Sequence, residues 1–354
     1  MSAAPLVSVV IPAYNAAATL RVAVESVYAQ GFRDYEVIVV DDASADRTPD
    51  VVQQLCSEGR GLRGLRMPAN SGPAAARNRG IAAAQGTWLA FLDGDDVWFP
   101  WRLETQWQLA AAQPDIALWC GRIVPWGAEA GVPLSGSAGA PAVRPLTLEE
   151  LAVHNPVATS TVLVRREIVA AAGGFDPQFR GPEDYDLWLR VAATSRVAFI
   201  DRPLAQYRHV PGSLSLDDRR FLPQIMRVLD KAYGVGGVLH GRRGARRARG
   251  YHCLACSWMA AQRGALGRAL GLFLRSLLFW PWPYGGPHNP LPRARVKLLK
   301  YFAVRWVRGK SAPPPCTSQG KPTPCPSQEG RGSRKDLPSS EGSGVGSAIR
   351  RDDR

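Results

Sequence analysis

The sequence predicts an α/β fold with a mostly parallel central sheet, and two patterns support this prediction. Short apolar runs at 7–11, 35–40 and 88–92 are typical of strands buried on both faces of a sheet. Between them, segments with one apolar face, such as 20–30 and 48–56, are typical of helices. Strands that alternate with helices pair in parallel through right-handed crossovers. We therefore expect one open, Rossmann-like sheet covered by helices.

The other elements follow in order along the chain. Thr19 is a candidate N-cap for the first helix, and Asp46 or Thr48 opens the second. Residues 126–145, rich in Gly, Ala, Pro and Ser, are predicted to form an irregular surface insertion. We further expect strands at 62–67, 116–120, 161–164 and 197–200, and helices after 70–72 and at 99–113, 166–172 and 183–193.

An acidic turn follows the strand at 88–92. It contains Asp93, Asp95 and Asp96 around a glycine, the residue type least suited to an extended strand, so the turn lies just past the strand's carboxyl end. Crowded carboxylates repel one another, and a hard divalent cation with oxygen ligands relieves that repulsion. For an isolated motif, a solvated turn that caps the next helix is the alternative. Asp96 is the carboxylate that we expect to cap that helix.

Three strand ends are expected to meet at one edge of the sheet, where ligands bind in open α/β folds. They are the loop at 12–15, the aspartates that end the second strand, and the acidic turn. There, Asp42 can accept a hydrogen bond from a base N–H, and Arg77 at a helix start can face phosphates. A strand-end aspartate more often caps the next helix than it binds a ligand. Together, however, these residues predict a pocket for a nucleotide diphosphate and a metal.

Four stretches carry a resemblance to a known family. They are VSVVIPAYNAAATL (7–20), VIVVDDASADRT (37–48), NSGPAAARNRGIAAAQGTWLAFLDGDDVW (70–98) and GGFDPQFRGPEDYDLWLRV (173–191). In order and spacing they are similar to the motifs of glycosyltransferase family 2, across roughly residues 6–215. The resemblance implies a GT-A fold and Mn²⁺ or Mg²⁺ as cofactor. It also implies an inverting enzyme that moves sugar from a nucleotide-diphosphate donor, such as a UDP-sugar, to a hydroxyl of a glycan or lipid-linked acceptor in polysaccharide or glycoconjugate biosynthesis.

The same resemblance implies roles for single residues. Asp95, with Asp93, would anchor the cation on the diphosphate, and Asp184 would be the catalytic base. Chemistry supports this role for Asp184, since the dipole at a helix N-terminus keeps a carboxylate ionised and able to take a hydroxyl proton. The family's metal-contacting histidine falls where this chain has Val210, so His209 contacts metal only after a local shift, and otherwise packs locally. The residues implied for the nucleotide site are Pro12, Ala13, Tyr14, Asn15, Asp42, Arg77 and Asp93.

The C-terminal part of the chain differs in charge from the rest. The whole chain carries +14, and residues 216–310 hold 19 Lys and Arg against 3 Asp and Glu. Within this helical pattern, 264–284 has an apolar face and an aromatic cluster, but two arginines and a Pro-Trp-Pro break favour an interfacial helix over a spanning one. Such a segment favours an anionic membrane surface as partner. We expect a catalytic domain at 1–215, a membrane-associating helical module at 216–310 and a disordered tail at 311–354.

The sequence also indicates the cellular compartment and argues against two other functions. No basic region precedes the first apolar run, and the six cysteines give no disulfide framework, so we expect a cytoplasmic protein, peripheral at the inner face of the plasma membrane. Cys253 and Cys256 lack a second pair of zinc ligands and are predicted to be buried helical thiols.

The basic run at 241–250 raises the alternative of a nucleic-acid-binding protein. No nucleic-acid-binding module accompanies this run, so nucleic acid is not an expected partner. A nucleotidyltransferase should have a glycine-rich, basic loop where this chain has PAYNAAAT.

Overall fold

A computed structural model describes residues 4–126, 141–208, 217–284 and 294–308, apart from the side chains of 305–308. These residues all belong to one compact unit, Met1–Pro315. His209 lies outside the described residues. So do the predicted disordered tail and most of the predicted insertion.

Nine strands of the described residues form one sheet. They are β1 (Val7–Ala13), β2 (Tyr35–Asp41), β3 (Leu62–Arg66), β4 (Trp88–Phe91), β5 (Val97–Trp98), β6 (Ile116–Pro125), β7 (Val143–Leu146), β8 (Leu163–Arg165) and β9 (Arg196–Tyr207). Their order is β3-β2-β1-β4-β8-β6-β9-β5, and β7 pairs with β9. β1, β2, β3 and β4 pair in parallel, as do β6 and β9, whereas β8 runs antiparallel to β4 and β6. The predicted α/β fold with a mostly parallel sheet is confirmed.

Helices cover both faces of this sheet. In the described residues they are α1 (Leu20–Tyr28), α2 (Thr48–Ser57), α3 (Pro73–Ala83), α4 (Arg102–Ala112), α5 (Leu148–Val153), α6 (Arg166–Ala171), α7 (Glu183–Thr194), α8 (Asp218–Tyr233), α9 (Ala245–Gln262), α10 (Leu266–Phe279) and α11 (Ala294–Arg308), with a 3₁₀ helix at Thr159–Thr161. Successive side chains of β1 point to opposite faces. Val10 packs in one cluster with α3 and α7, whereas Val9 and Ile11 pack in another with α1, α2 and α4.

Two expectations about local structure are wrong. The end of the predicted irregular insertion is strand β7, which pairs antiparallel with β9. Likewise α4 begins at Arg102 rather than at residue 99, because Val97–Trp98 forms a short strand against Ala205 and Gln206 of β9. In both cases pairing with a strand that is distant in sequence outweighs the weak local preference.

The C-terminal helices pack on the preceding part of the chain and on one another. α8 contacts α7 and α9, and its Ile225, Val228 and Leu229 join the core beneath the sheet. α9, α10 and α11 share an apolar core of their own. Cys253 and Cys256 are buried thiols on α9, as predicted, and burial raises their pKa values to about 11 and about 12. Within the described ranges, no helix combines the length and the apolar character needed to cross a bilayer.

Candidate active site

The acidic turn lies directly beyond β4 and is held by the loop that follows β1. Gly94 approaches this loop so closely that an added Cβ would lie 3.1 Å from the carbonyl oxygen of Pro12. The hydroxyl of Thr19 donates a hydrogen bond to the carbonyl oxygen of Gly94 at 2.8 Å. Thr19 occupies the N-cap position of α1 as predicted, but its side chain makes no capping hydrogen bond. It ties the acidic turn to the start of α1 instead.

The first two aspartates of the turn have different surroundings. Arg77 donates a hydrogen bond to Asp93 over 2.6 Å. Among the described residues, none besides Asp95 itself donates a hydrogen bond to the Asp95 carboxylate. Burial, and then the neighbouring charge of Asp93, raise the pKa of Asp95 to about 6. Asp95 therefore carries the less compensated carboxylate of the two.

The third aspartate has a structural role, and the expectation that Asp96 caps the next helix is wrong. The N-cap position of α4 is Trp101, whose side chain makes no capping hydrogen bond. Asp96 is almost fully buried and accepts hydrogen bonds from the hydroxyl of Ser160 at 2.6 Å and from the backbone N–H of Arg208 at 3.2 Å. Burial, and then Asp93, raise the pKa of Asp96 well above its usual range. These bonds join the turn to the end of β9.

Asp93 and Asp95 fit a divalent cation by their chemistry. They supply carboxylate oxygens, the ligand type that Mg²⁺ and Mn²⁺ prefer. Burial, and then the charge of Asp93, raise the pKa of Asp95, and a bound cation would favour the ionised carboxylate. Mg²⁺ is commonly held by one or two carboxylates together with substrate phosphates, and this turn offers two. Among the described residues, no group of three or more His, Cys, Asp or Glu side chains could by itself hold a metal ion.

Arg77 connects the acidic turn to the start of α7. Its Nη2 donates to Asp93 and its Nη1 donates to Glu183 at 2.8 Å, and its side chain is only 6% exposed. Burial lowers the pKa of Arg77, but the two carboxylates outweigh burial and raise it overall. The sequence suggested that Arg77 faces phosphates. The two carboxylates already compensate its positive charge, and its Nε has no hydrogen-bond partner among the described residues.

Asp184 lies in the first turn of α7, as the sequence predicted. One of its carboxylate oxygens accepts a hydrogen bond from the hydroxyl of Thr159 at 3.0 Å, and the other accepts one from the backbone N–H of Tyr185 at 2.6 Å. Burial, and then the charge of Glu183, raise the pKa of Asp184 to about 7, although Arg77 and the Thr159 bond act in the opposite direction. A carboxylate that titrates near neutral pH suits a group that must accept a proton.

The four consecutive residues predicted for the nucleotide after the first strand do not all lie in a loop, because β1 extends through Ala13. Pro12 and Ala13 end the strand, and Tyr14 is 51% exposed. Asn15 has a left-handed backbone with φ of 50°, which asparagine tolerates better than most residues. Its side-chain oxygen accepts a hydrogen bond from the backbone N–H of Ala45, in the loop after β2. The two loops are thereby joined beside the acidic turn.

Asp42 lies at the neighbouring strand end and is almost fully buried. Its two carboxylate oxygens accept hydrogen bonds from the backbone N–H groups of Ser71 and Gly72, at 2.9 and 2.7 Å. Asp42 therefore holds the loop that leads into α3. Each carboxylate oxygen has two acceptor positions, so a base N–H would share an oxygen with one of these amides.

Sequence analysis missed the 3₁₀ helix Thr159–Thr161, which contacts both the acidic turn and Asp184. Thr159 donates to Asp184, while Ser160 donates to Asp96 and accepts a hydrogen bond from the backbone N–H of Asp93 at 3.2 Å. The only signal in the sequence is a run of three hydroxyl residues before an apolar strand. Nothing in that local run indicates which distant carboxylates the hydroxyls meet.

Arg208 is a second residue that sequence analysis missed. In addition to its backbone bond to Asp96, its Nε donates a hydrogen bond to the carbonyl oxygen of Asp95 at 3.2 Å. Its guanidinium lies 4.0 Å from the ring centroid of Trp126, at the end of β6. The ends of β6 and β9 thus contact the acidic turn through one arginine.

Comparison with known proteins shows that the chain is similar to sugar transferases. The model of glycosyl transferase family 2 matches residues 8–137. TuaG of Bacillus subtilis (strain 168), named as a teichuronic acid biosynthesis glycosyltransferase, is 33% identical over 212 residues, which are 60% of this chain and 82% of that protein. The succinoglycan biosynthesis protein ExoO of Rhizobium meliloti (strain 1021) is 30% identical over 320 residues, 87% of this chain and 90% of that protein.

Solved structures share the fold at lower sequence identity. The mannosyltransferase PcManGT from Pyrobaculum calidifontis, in complex with GDP-Man and Mn²⁺, has a TM-score of 0.55 at 20% identity, covering 86% of this chain and 81% of that chain. S. aureus TarS 1-349, in complex with UDP-GlcNAc, has a TM-score of 0.51 at 18% identity, covering 77% of this chain and 89% of that chain. These likenesses concern the fold, which is of the expected GT-A type.

Proposed function

The chain belongs to glycosyltransferase family 2, and from this premise we propose that it moves a sugar, with inversion, from a nucleotide-diphosphate donor to a hydroxyl of a glycan or lipid-linked acceptor. The observation that carries the proposal is the pair of hydrogen bonds from Arg77 to Asp93 and Glu183. They join Asp93 of the acidic turn to Glu183, the residue before Asp184, so Arg77 connects the segment suited to a cation with the segment that carries the candidate base. The two relatives described above are named for teichuronic acid and succinoglycan biosynthesis, which supports a role in polysaccharide biosynthesis.

Donor binding is assigned to the strand ends of β1, β2 and β4. Asp95 and Asp93 would hold Mn²⁺ or Mg²⁺, which as a Lewis acid stabilises the charge that develops on the departing diphosphate. Tyr14, half exposed beside the turn, offers an aromatic face to the nucleotide base. Asp42 offers an acceptor for a base N–H. A UDP-sugar is the first donor class to test and GDP-mannose the second, because the two structural neighbours bind UDP-GlcNAc and GDP-Man.

Asp184 is assigned as the base of a single displacement. As the acceptor oxygen attacks the anomeric carbon, its O–H bond breaks and the proton passes to the Asp184 carboxylate. At the same time the bond between the anomeric carbon and the diphosphate oxygen breaks, and the nucleoside diphosphate leaves. Attack from the side opposite the leaving group inverts the anomeric carbon. The hydrogen bond from Thr159 orients the carboxylate and favours its ionised form.

The C-terminal helices are assigned the role of binding the membrane surface. In this view residues 1–215 are the catalytic domain, and the basic segment 216–310 keeps the protein peripheral at the inner face of the plasma membrane. That segment has 19 basic and 3 acidic residues, and its positive charge supports attraction to anionic lipids. A lipid-linked acceptor would be met at the same surface.

A donor screen followed by product analysis tests the proposal. The full chain is heated with individual UDP- and GDP-sugars, with Mn²⁺ or with EDTA, because a bound donor raises the melting temperature by mass action. We expect one donor class to stabilise the protein with Mn²⁺, and slow release of the nucleoside diphosphate. Release of sugar 1-phosphate instead, the leaving group when the nucleotidyl group is transferred, would identify a nucleotidyltransferase. Absence of both stabilisation and release across the panel would reject the sugar-transfer assignment.

A further inference from the structure

The outer face of α10 carries leucines that no described residue covers. Leu270, Leu274 and Leu278 recur every fourth position and are 44%, 51% and 77% exposed. The opposite face, which is buried in the core shared with α9 and α11, consists of Ala269, Leu272, Phe273 and Ser276. Within the part of the chain that the structure describes, the helix is thus packed on one side only, and the leucines on its other side stay exposed.

A tryptophan just beyond the end of the helix is exposed as well. Trp282 follows Leu278 by four residues and is 67% exposed. Arg295 of α11 donates hydrogen bonds to the carbonyl oxygens of Pro281 and Trp282, at 2.7 and 2.6 Å, and so fixes the turn that presents the indole. Tryptophan is enriched where a protein meets the interface of a bilayer. We call Leu270, Leu274, Leu278 and Trp282 the α10 patch.

Arginines surround the α10 patch. Arg246 of α9 donates a hydrogen bond to the carbonyl oxygen of Leu278 at 3.0 Å. Arg275 is exposed on α10 itself, with its guanidinium 5.6 Å from the ring centroid of Phe279. Arg247 lies 5.9 Å from the ring centroid of Trp280. The apolar surface is therefore bordered by positive charge, the pattern of a helix that lies on an anionic bilayer.

We propose that the α10 patch docks on the surface of an anionic phospholipid bilayer, with α10 lying in the plane of the interface. The leucines enter the acyl boundary while the arginines meet lipid phosphates. α10 has 14 residues, too few to cross the hydrocarbon core. A second copy of the chain is the less favoured occupant, because the basic excess of the C-terminal segment would oppose the pairing of two such surfaces. The inference deepens the proposed membrane role by naming the contact surface.

The α10 patch is connected to the base through packed side chains. α9 packs along α10, and its Tyr251 and His252 contact the catalytic half. The ring of His252 lies 5.6 Å from that of Tyr185, the residue after Asp184, and Tyr251 lies 5.5 Å from His154. Burial, and then His154, lower the pKa of His252 to about 3, so this ring is neutral at physiological pH. The α10 patch and Asp184 are therefore connected through the packed helices α10, α9 and α7.

Vesicle flotation of the full chain, without donor or acceptor, tests the docking surface separately from catalysis. The probes are vesicles of phosphatidylcholine alone and vesicles with about 30% phosphatidylglycerol, a content that gives a clear negative surface potential. We expect the wild type to float with the anionic vesicles. Leu270→Glu/Leu274→Glu should lower its partitioning on the order of a hundredfold, because two leucines that would be buried in the bilayer are lost. Val22→Glu is the matched control, since Val22 is 42% exposed on α1, outside the patch, and this variant should float like the wild type.

Folding and self-association are checked in the same preparations. Circular dichroism melting must show that the double variant folds like the wild type, and a milder Leu274→Gln variant, expected to lose about tenfold in partitioning, replaces it if it does not. The proposal is overturned if the double variant floats as well as the wild type, or if the wild type does not float. It is also overturned if light scattering finds a dimer that the double variant dissolves while vesicle binding is absent. None of these outcomes depends on sugar transfer.

Discussion

The hydroxyl of Ser160 donates a hydrogen bond to Asp96 over 2.6 Å, across 64 positions of sequence. The preceding residue, Thr159, donates to Asp184 at 3.0 Å. Two consecutive side chains of one 3₁₀ helix thus hold the acidic turn and the start of α7. The position of the predicted base relative to the predicted cation ligands is therefore set by a single turn of the backbone, together with the ion pairs of Arg77.

The cation ligands can be tested by a neutral substitution. Asp95→Asn should lower the rate of sugar transfer by about 10²–10³-fold, because it removes a charged ligand from the site that stabilises the leaving diphosphate. EDTA should inactivate the wild type similarly, and added Mn²⁺ should restore it. Asp50→Asn is the control, since that side chain is 60% exposed on α2. Full wild-type activity in EDTA would remove the metal assignment.

The base can be separated from donor binding. Asp184→Asn keeps the size of the side chain but cannot take the proton of the acceptor hydroxyl. We expect kcat to fall by about 10²–10⁴-fold while the affinity for the donor, measured by calorimetry, stays within about twofold. An Asp184→Asn enzyme with the wild-type kcat would show that the base lies elsewhere.

The pH profile should report the environment of Asp184. A base acts when deprotonated, and its pKa is about 7, so transfer should rise as pH increases through about 7. Thr159→Val removes a hydrogen bond to the ionised form and should move the midpoint upward by about 0.5–1 pH unit. Thr159→Ser should restore the wild-type midpoint. Identical kcat profiles for the Val variant and the wild type would exclude this role of Thr159.

Arg77 should matter for stability, because its ion pair with Glu183 is buried on both sides, with side chains 6% and 4% exposed. Arg77→Met leaves Glu183 buried without its counterion and should reduce the free energy of unfolding by about 3–5 kcal/mol in urea titrations. Adding Glu183→Gln should recover part of the loss, since the unpaired charge is then gone. The matched control, Arg47→Met, breaks an exposed pair with Asp50 and should cost less than about 1 kcal/mol. Equal losses in the two arginine variants would contradict the buried-bridge interpretation.

The same base should reduce the stability of the enzyme without ligands. The pKa of Asp184 is about 7 when folded, against a usual value of 3.8, so the folded state holds its proton more tightly and loses stability as pH rises from about 4 to above 7. Asp184→Asn has no such proton to lose. It should raise the free energy of unfolding by about 1–2 kcal/mol at pH 8 and by clearly less at pH 5. Melting curves that show equal effects at both pH values would disprove this account.

Sequence reasoning succeeded where the signal is local. The parallel strands β1, β2 and β4 are continuous apolar runs, and the helices between them have one apolar face, so both could be predicted. The predicted locations of the acidic turn and of Asp184 are confirmed for the same reason: each follows directly from a strand end or a helix start. The chemical roles given to these residues remain predictions.

Sequence reasoning failed where a partner is distant along the chain. β5 and β7 exist because β9 pairs with them, and no local pattern indicated that pairing. The sequence predicted Asp96 as a helix cap, whereas its side chain accepts a hydrogen bond from Ser160. The partners of Arg77 were missed for the same reason. Asp93 and Glu183 lie 16 and 106 positions away, and the position of an arginine at a helix start does not indicate which carboxylates it meets.

The contact between His252 and Tyr185 has a consequence for which acceptors the enzyme can use. Because α10 packs on α9, whose His252 contacts Tyr185 next to Asp184, docking of α10 would fix the height of the base above the bilayer. A hydroxyl on a lipid-linked glycan would then react only if the sugars beneath it span that height. The number of sugars already attached to the lipid would thus become a criterion for selection, imposed by distance and independent of the shape of the acceptor pocket.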